Sequence, residues 1–585
     1  MEVKLERKYK FLKNKYYNLL LPTVFMVMSE KIALVIDVII IGYILGSTQL
    51  SVLNIASPLT YITGIFYILF GQGGNLLALR AQSERKYEKV NYYFTIAIVG
   101  IILFTLAYIL IIFLYVDNFL ILFNCPTVIF NTSKEYLLLL MFYYPLNCYI
   151  LVISFFIRSD GRPKMPFYAI LIANILNIIF DILFLKVFNL GIVYAALGTV
   201  LGYLMGAIYI SQYLFNKKGS YKLISLKKYK VKNFLDTIKE FLLNTPEVIG
   251  KIFFSLKMSL LTYLCSTYLG VAGLLAFLIY DNSESMVYIF LSGIMKTMSP
   301  IVTVLYKEMD YEAVYYMIVK SINHVLLISL PISIIFFIYP QILISLFNVE
   351  NPYYIEVVTL AIRITSFSLV GRCMSYLLAN YTQAIKKNKI STIITFLEEF
   401  LFIFGSALIL TRVIGGIGIW IAILIAECLP VVVYVILALR IKNRNKDIIN
   451  RVLMIQNSKL ITWTYNRNDI GKLDKYLDEE SSKILIQVEN LFKENAIIIS
   501  NSINDICNDI FEHIDIDDID LTIRFMDEKL YIVFTNEGKL YNPFSNDNLM
   551  QSNNIKALSQ LNCEFDYDEI LGFNKTYIIY DTKRN

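Results

Sequence analysis

Residues 176–185 read LNIIFDILFL, an aspartate with an asparagine four positions before it inside an apolar run. Four positions is about one helical turn, so Asn177 and Asp181 share a helix face. A second acid, Asp37, lies in the apolar stretch EKIALVIDVIIIG. A carboxylate in hydrocarbon costs about 2.5–3.5 kcal/mol on insertion scales, so each acid requires a partner or a task. Two carboxylates close together at low dielectric cannot both stay ionised cheaply. A proton or Na⁺ neutralises such a pair, and its loss restores charge that an organic cation could satisfy. The structural alternative is a buried Asp held by Asn and hydroxyl groups to lock helix packing.

The elements that must position these residues are long apolar segments. The chain has 585 residues, 57% of them hydrophobic and 17% charged, with 43 Tyr and 39 Phe. That excludes an ordinary soluble enzyme and points to an all-α polytopic membrane protein in contact with lipid. The net charge of +6 sits mostly in loops beside apolar segments and implies no nucleic-acid partner. Seven cysteines are scattered without a CxxC, so neither a disulfide framework nor a cysteine metal site is expected. The basic start MEVKLERKYKFLKNK precedes a run too long for a signal-peptide core, which reads as a retained first span.

Twelve spans are expected, near 17–44, 52–80, 91–115, 133–157, 166–187, 191–215, 244–268, 271–300, 312–339, 353–382, 389–412 and 415–440. Loops such as RAQSERKYEK, RSDGRPK, KKGSYKLISLKKYKVK and RIKNRNK are basic, whereas the alternate ones carry almost no Lys or Arg. The positive-inside rule therefore puts both termini in the cytoplasm. The halves share a layout: with a shift of 225, Gly191 falls opposite Gly416, and Asn177 and Asp181 fall opposite Phe402 and Ser406. Setting Pro22 opposite Pro246 leaves Asp37 facing Leu261, so the acidic pair belongs to the first half alone. Repeated halves are a transporter signature, with the site within or between them.

The stretches PTVFMVMSEKIALVIDVIIIGYILGSTQLSVLNIASPL, FIRSDGRPKMP and LNIIFDILFLKVFNLGIVYAALGTV resemble the multidrug and toxic compound extrusion (MATE) family over about residues 15–440. The resemblance implies two six-helix lobes in a bacterial-type inner (plasma) membrane. It also implies antiport of small organic cations against H⁺ or Na⁺, with no other cofactor for transport. The family's first-lobe cation site is similar to Asp37, Asn177, Asp181 and Thr199, with Tyr136 matching a family tyrosine. Where some members carry second-lobe acids, in the seventh and tenth spans, this chain offers Lys257 and Arg372. Together with Asp281, Glu284, Glu398 and Glu399 these form either internal ion pairs or the lining for an unusual or anionic substrate. Glu30 and Lys31 could simply pair with each other.

Beyond residue 446 short amphipathic patterns alternate with β-type runs such as LTIRF and LYIVF, as in a small soluble α+β domain. NDICNDIFEH and NEGKLYNPF resemble the histidine-kinase-type ATPase fold of the anti-sigma-factor kind. The resemblance places Asn508 at the Mg²⁺-holding asparagine, Asn536 at the adenine-binding aspartate and Gly538 at its glycine, so Mg²⁺-ATP is the ligand to test. Asn504 replaces the base-like glutamate and MQSNNIKAL lacks the lid glycines, so ATP hydrolysis is not expected. His513 is expected to be a helix-face residue. The expected division is an N-terminal segment 1–16, a first lobe 17–215, a basic loop 216–243, a second lobe 244–440 and a cytoplasmic domain 441–585. Three functions stay open: a cation-coupled antiporter with a regulatory tail, a flippase for lipid-linked intermediates with a cationic cavity, and a membrane-tethered sensor whose tail captures a protein partner.

Overall fold

In hydrocarbon every backbone N–H and C=O must bond within its own segment, so apolar runs of this length become helices. The computed structural model describes residues 9–83, 86–160, 162, 164–215, 220–225, 231–245, 247–440, 448–450, 452–456, 460–466, 489–516, 518–526, 529–561, 563–570 and 573–581. The Glu30 and Lys31 side chains lie outside the described set, as does most of the basic stretch 217–230.

The first half contains α1 (Lys10–Leu45), α2 (Ser47–Tyr67), α3 (Gly74–Ser83), α4 (Tyr87–Leu122), α5 (Thr127–Leu140), α6 (Tyr143–Ser159), α7 (Lys164–Asp181) and α8 (Val193–Phe215). After α9 (Val231–Asn244), the second half contains α10 (Glu247–Lys307), α11 (Tyr311–Ile338), α12 (Gln341–Leu346), α13 (Pro352–Thr365), α14 (Ser368–Ala384), α15 (Asn388–Phe396), α16 (Phe402–Ile414) and α17 (Ile417–Arg440). Among the described residues eight helices are long and apolar enough to cross a membrane, ten if the bent pairs α5–α6 and α13–α14 each count as one span. The expected seventh and eighth spans are the two arms of α10, which turns back on itself at Gly270: a Cβ on Gly273 would lie 2.5 Å from the Cys265 carbonyl oxygen, and the φ of 58° at Gly270 is open to glycine at little cost. The expected loop 216–243 contains α9, because Phe234, Ile238 and Phe241 recur at helical spacing and Phe241 is fully buried.

Contacts divide the chain into two compact units. One comprises Pro22–Met295 and Ile322–Leu437. Within it, one apolar core gathers Phe70, Phe94, Phe156 and Phe241 of the first half. A second joins Leu50, Leu137 and Tyr144 to Leu275, Phe347 and Trp420 of the other half.

The other unit comprises Met1–Leu21, Lys296–Ser321 and Ala438–Asn585. Its tail strands are β1 (Ile448–Asn450), β2 (Ile455–Gln456), β3 (Leu460–Asn466), β4 (Asp518–Met526), β5 (Lys529–Asn536), β6 (Cys563–Ile570) and β7 (Phe573–Asp581). Five of them form an antiparallel sheet in the order β3-β4-β5-β7-β6, and the helix α18 (Glu489–His513) packs on it. Strand alternation separates two faces. Ile519, Leu521, Ile523, Leu530, Ile532 and Phe534 join the core with Ile503, Ile506 and Ile510 of α18. Asp520, Thr522, Arg524, Thr535 and Lys575 instead share a hollow with Phe11, Leu12, Ile301, Leu305 and Glu308. The small α+β tail expected from the sequence is present.

Candidate functional site

The first-lobe site exists because α7 and α8 approach more closely than side chains would allow. A Cβ on Gly202 would lie 2.5 Å from the Ala173 carbonyl oxygen and 2.8 Å from the Asn177 nitrogen. One on Gly198 would lie 2.6 Å from Asp181 Oδ1. In that seam Asn177 Nδ2 donates to Asp181 Oδ2 at 2.8 Å and to Thr199 Oγ1 at 3.3 Å. Thr199 donates in turn to the Ala195 carbonyl at 3.0 Å. Asp181 is fully buried, and it closes α7 immediately before a π turn, Ile182–Val187, a feature that recurs at functional sites.

Asp37 of α1 reaches this group: its carboxyl is a hydrogen-bond neighbour of that of Asp181. The Oδ1 atoms of both acids are buried and have no donor. Two neighbouring buried carboxyls are held together most cheaply by a proton or a metal cation. Tyr136, buried on α5, lies within electrostatic range of both acids. All five expected residues therefore converge. Asn174, one position short of a turn before Asn177, also belongs here, accepting from Tyr203 at 3.2 Å. Its i, i+3, i+7 spacing with Asn177 and Asp181 was the available signal, and it was missed.

The second lobe holds a buried charge cluster. Lys257 Nζ lies 3.4 Å from Glu399 and 3.5 Å from Glu427. Arg372 pairs with Glu284, reaches Glu427 at 3.2 Å and lies 3.7–3.8 Å from Glu399 and Glu398. Tyr280 donates to Glu427 at 2.8 Å, and Ser375 to Glu398. Glu398 and Glu399 lie in another π turn, Leu397–Leu401. The internal ion pairs weighed from the sequence are thus what the fold builds, with Glu427 added from α17. In this cluster both basic side chains, Lys257 and Arg372, are paired with carboxylates. Asp281 stands apart, accepting from Tyr61 at 2.8 Å.

In the tail, Asn536 and Asn504, two of the residues that resemble a nucleotide site, are bonded to residues outside that motif. Asn536 is buried and accepts from Asn574 Nδ2 at 2.9 Å. A Cβ on Gly538 would lie 2.3 Å from Ile514 Cγ2, so that glycine serves close packing. Asn508 sits half-buried on α18. Asn504 accepts from Tyr465 at 2.5 Å. The glycine-free segment expected as a lid forms the short helix Asn553–Gln560, its start capped by Ser552. These residues do not fit a phosphate cradle. His513 is a helix-face residue, stacked on Tyr541 at 4.6 Å. Burial and the Asp509 carboxylate push the Tyr541 phenol up to about 12.

The family model MatE matches residues 22–183 and again 246–408. The chain belongs to the MatE family. The two MatE matches begin 224 residues apart and end 225 apart, the same offsets that align the two halves in sequence. The chain is similar to the multidrug export protein MepA of Staphylococcus saprophyticus, 21% identical over 425 residues, 70% of this chain and 90% of that protein. MepA of Staphylococcus aureus (strain MRSA252) is 22% identical over the same shares. In fold it resembles an inward-facing MATE transporter of the MOP superfamily, with a TM-score of 0.63 over 70% of this chain and 96% of that one at 18% identity. An outward-facing MATE structure gives 0.54 over 72% and 93%, also at 18% identity. A MOP superfamily transporter from Pyrococcus furiosus, described by a reversed polarity of its binding pocket, gives 0.56 over 72% and 94% at 18% identity. MatE proteins are integral-membrane secondary transporters, and this chain is one of them, not an enzyme.

The close seam makes a prediction for this MatE chain. Gly202→Ala must push α8 off the Ala173 carbonyl, which pulls Thr199 away from Asn177. Overpacking of this kind costs about 1–3 kcal/mol. Purified Gly202→Ala protein should unfold at a lower temperature than wild type; an unchanged unfolding midpoint would refute the seam's role.

Proposed function

We infer that this MatE chain is a cation-coupled antiporter, driven by H⁺ or Na⁺, that exports small organic cations by alternating access. The observation that carries it is that the Asp37 and Asp181 carboxyls are neighbours and that each has a buried Oδ1 without a hydrogen-bond donor. One proton or Na⁺ cuts the charge of the pair from two to one and removes the repulsion between the acids; without it the full double charge attracts an organic cation. Multidrug export by the MepA relatives supports the substrate class. Twelve spans in two lobes follow if Gly270 divides α10, each bent pair is one span and α1 supplies the first. Basic loops support cytoplasmic termini. Ethidium-loaded vesicles given an inward H⁺ or Na⁺ gradient should lose dye faster than vesicles without one. Equal rates under both gradients and none would reject coupling.

The tail, in this account, regulates transport by contact. Its element order supports a histidine-kinase-type ATPase-like fold without the cradle, so no step runs through nucleotide. Its polar sheet face holds Lys575 and Arg524 against Glu308, at the corner between α10 and α11; Arg524 donates to the Glu308 carbonyl at 2.9 Å. The same domain meets the start of α1, where Lys10 pairs with Asp518 at 3.0 Å and Lys15 lies 5.4 Å from the centre of the Phe573 ring. It therefore ties a first-lobe helix to a second-lobe corner. Glu308→Ala should free the tie and speed efflux roughly two- to fivefold, the rate equivalent of a ~0.4–1 kcal/mol restraint. An unchanged rate would reject the brake.

A further inference from the structure

Helix α9 links the two halves, and its side chains sort into three sectors. At about 100° per residue, Phe234, Thr237, Ile238 and Phe241 share one face. That face is docked on the first half. Phe241 is fully buried against Phe70 and Tyr93, and Tyr92 donates to the Asn233 carbonyl at 3.3 Å. A Cβ on Gly73, in the π turn Ile68–Gly73, would lie 3.1 Å from Phe241 Cβ. The adjacent face carries Leu235, Leu242 and Leu243, which are 59%, 46% and 71% exposed, with exposed Lys239 among them. Asn233, Asp236 and Glu240 make up the remaining face, exposed and polar. A helix already docked through one apolar face has no folding reason to place three leucines on the next.

We propose that the leucine face of α9 lies in the bilayer surface and that Lys239 there binds anionic phospholipid. Position argues for lipid. α9 ends at Asn244 and the membrane-spanning α10 begins at Glu247, its first turns exposing Ile249 and Ile252 as a lipid-facing span does. Leucines at the level where the chain enters hydrocarbon are covered by the lipid already there, the arrangement of an interfacial amphipathic helix. The lysine stem lies along such a face while its ammonium reaches the phosphates. Charge sets the choice of lipid. The sequence KKGSYKLISLKKYKVK around the start of α9 has seven lysines and no acid. Of these, Lys222 is exposed on the end of α4 that also holds α9, its backbone nitrogen donating to Asn91 at 2.8 Å. Lysines beside a membrane helix draw anionic headgroups, and the acids Asp236 and Glu240 stand on the third face, turned from the leucines. This surface goes beyond the export function, which requires no particular headgroup.

The test reads tryptophan quenching in full-length Leu242→Trp and Asp236→Trp proteins reconstituted into vesicles. The vesicles hold brominated phosphatidylglycerol or brominated phosphatidylcholine at equal mole fraction, and the emission of the parent's Trp420 and Trp463 is subtracted. Leu242→Trp should be quenched by both lipids, more strongly by phosphatidylglycerol, and Asp236→Trp only weakly by either. Adding Lys239→Gln to Leu242→Trp should cut the phosphatidylglycerol preference by roughly twofold or more. Salt at about 1 M, where the Debye length is about 3 Å, should abolish that preference. Leu235→Trp, on the same face, gives the same reading if Leu242→Trp does not fold. A leucine-face tryptophan left unquenched, as a protein partner or a second copy seated there would leave it, overturns the proposal. So does equal quenching by the two lipids, quenching of Asp236→Trp as strong as that of Leu242→Trp, or a preference unmoved by Lys239→Gln.

Discussion

Asp181→Asn should reduce gradient-driven efflux to the leak of empty vesicles while the protein still folds and inserts. Asparagine has nearly the shape of aspartate, so the seam held by Gly198 and Gly202 is not disturbed. The Asn177 amide keeps an acceptor in the substituted side chain's carbonyl. What disappears is the second carboxyl opposite Asp37. An amide can donate to Asp37 without taking up or releasing a proton, and it neither binds Na⁺ as a charged ligand nor carries charge for a substrate. The cycle then has no event that exchanges ion for drug. Ethidium efflux under imposed H⁺ and Na⁺ gradients, with thermal unfolding as the folding control, decides the matter. Residual gradient-driven flux above a few per cent of wild type would place the coupling elsewhere.

Lys257→Met should have the larger effect on stability. Lys257 is 1% exposed and stands between Glu399 and Glu427, the latter fully buried. Methionine fills similar space, so the loss is almost purely one of charge. Removing one partner of a buried ion pair leaves the others uncompensated, at a cost of about 3–5 kcal/mol. The variant should unfold at markedly lower detergent or temperature midpoints. Adding Glu427→Leu should recover part of the loss, because the two residues are coupled and their effects are not additive. A double variant as unstable as the sum of the two singles would show that the pairing does not hold this lobe together.

The first-lobe site could be read from the sequence because its cost is local. An aspartate in LNIIFDILFL is expensive whatever packs around it, and the Asn177 spacing sets their shared face without knowledge of the fold. Glu427 is the instructive omission. It sits in IAILIAECLPVVV, a run as apolar as that around Asp181, and the same rule applied evenly would have found it. Its meaning still depended on the fold, since its partners Lys257, Tyr280 and Arg372 come from both arms of α10 and from α14. In the tail, LTIRF and LYIVF announced β4 and β5, whereas the sheet order and the charged face over Glu308 depend on pairings far apart in sequence.

The π turns at Ile182–Val187 and Leu397–Leu401 have a mechanical consequence. Each holds one residue more per backbone ring than the α-helix around it. Passing that surplus residue one step along the helix would rotate the intervening side chains by about 100°, the angle per residue of an α-helix. The first turn begins directly after Asp181 and the second contains Glu398 and Glu399. Helices whose two ends are fixed at opposite faces of a bilayer thus carry internal slack where the acids sit, and those acids can be turned toward or away from a partner while the ends stay still.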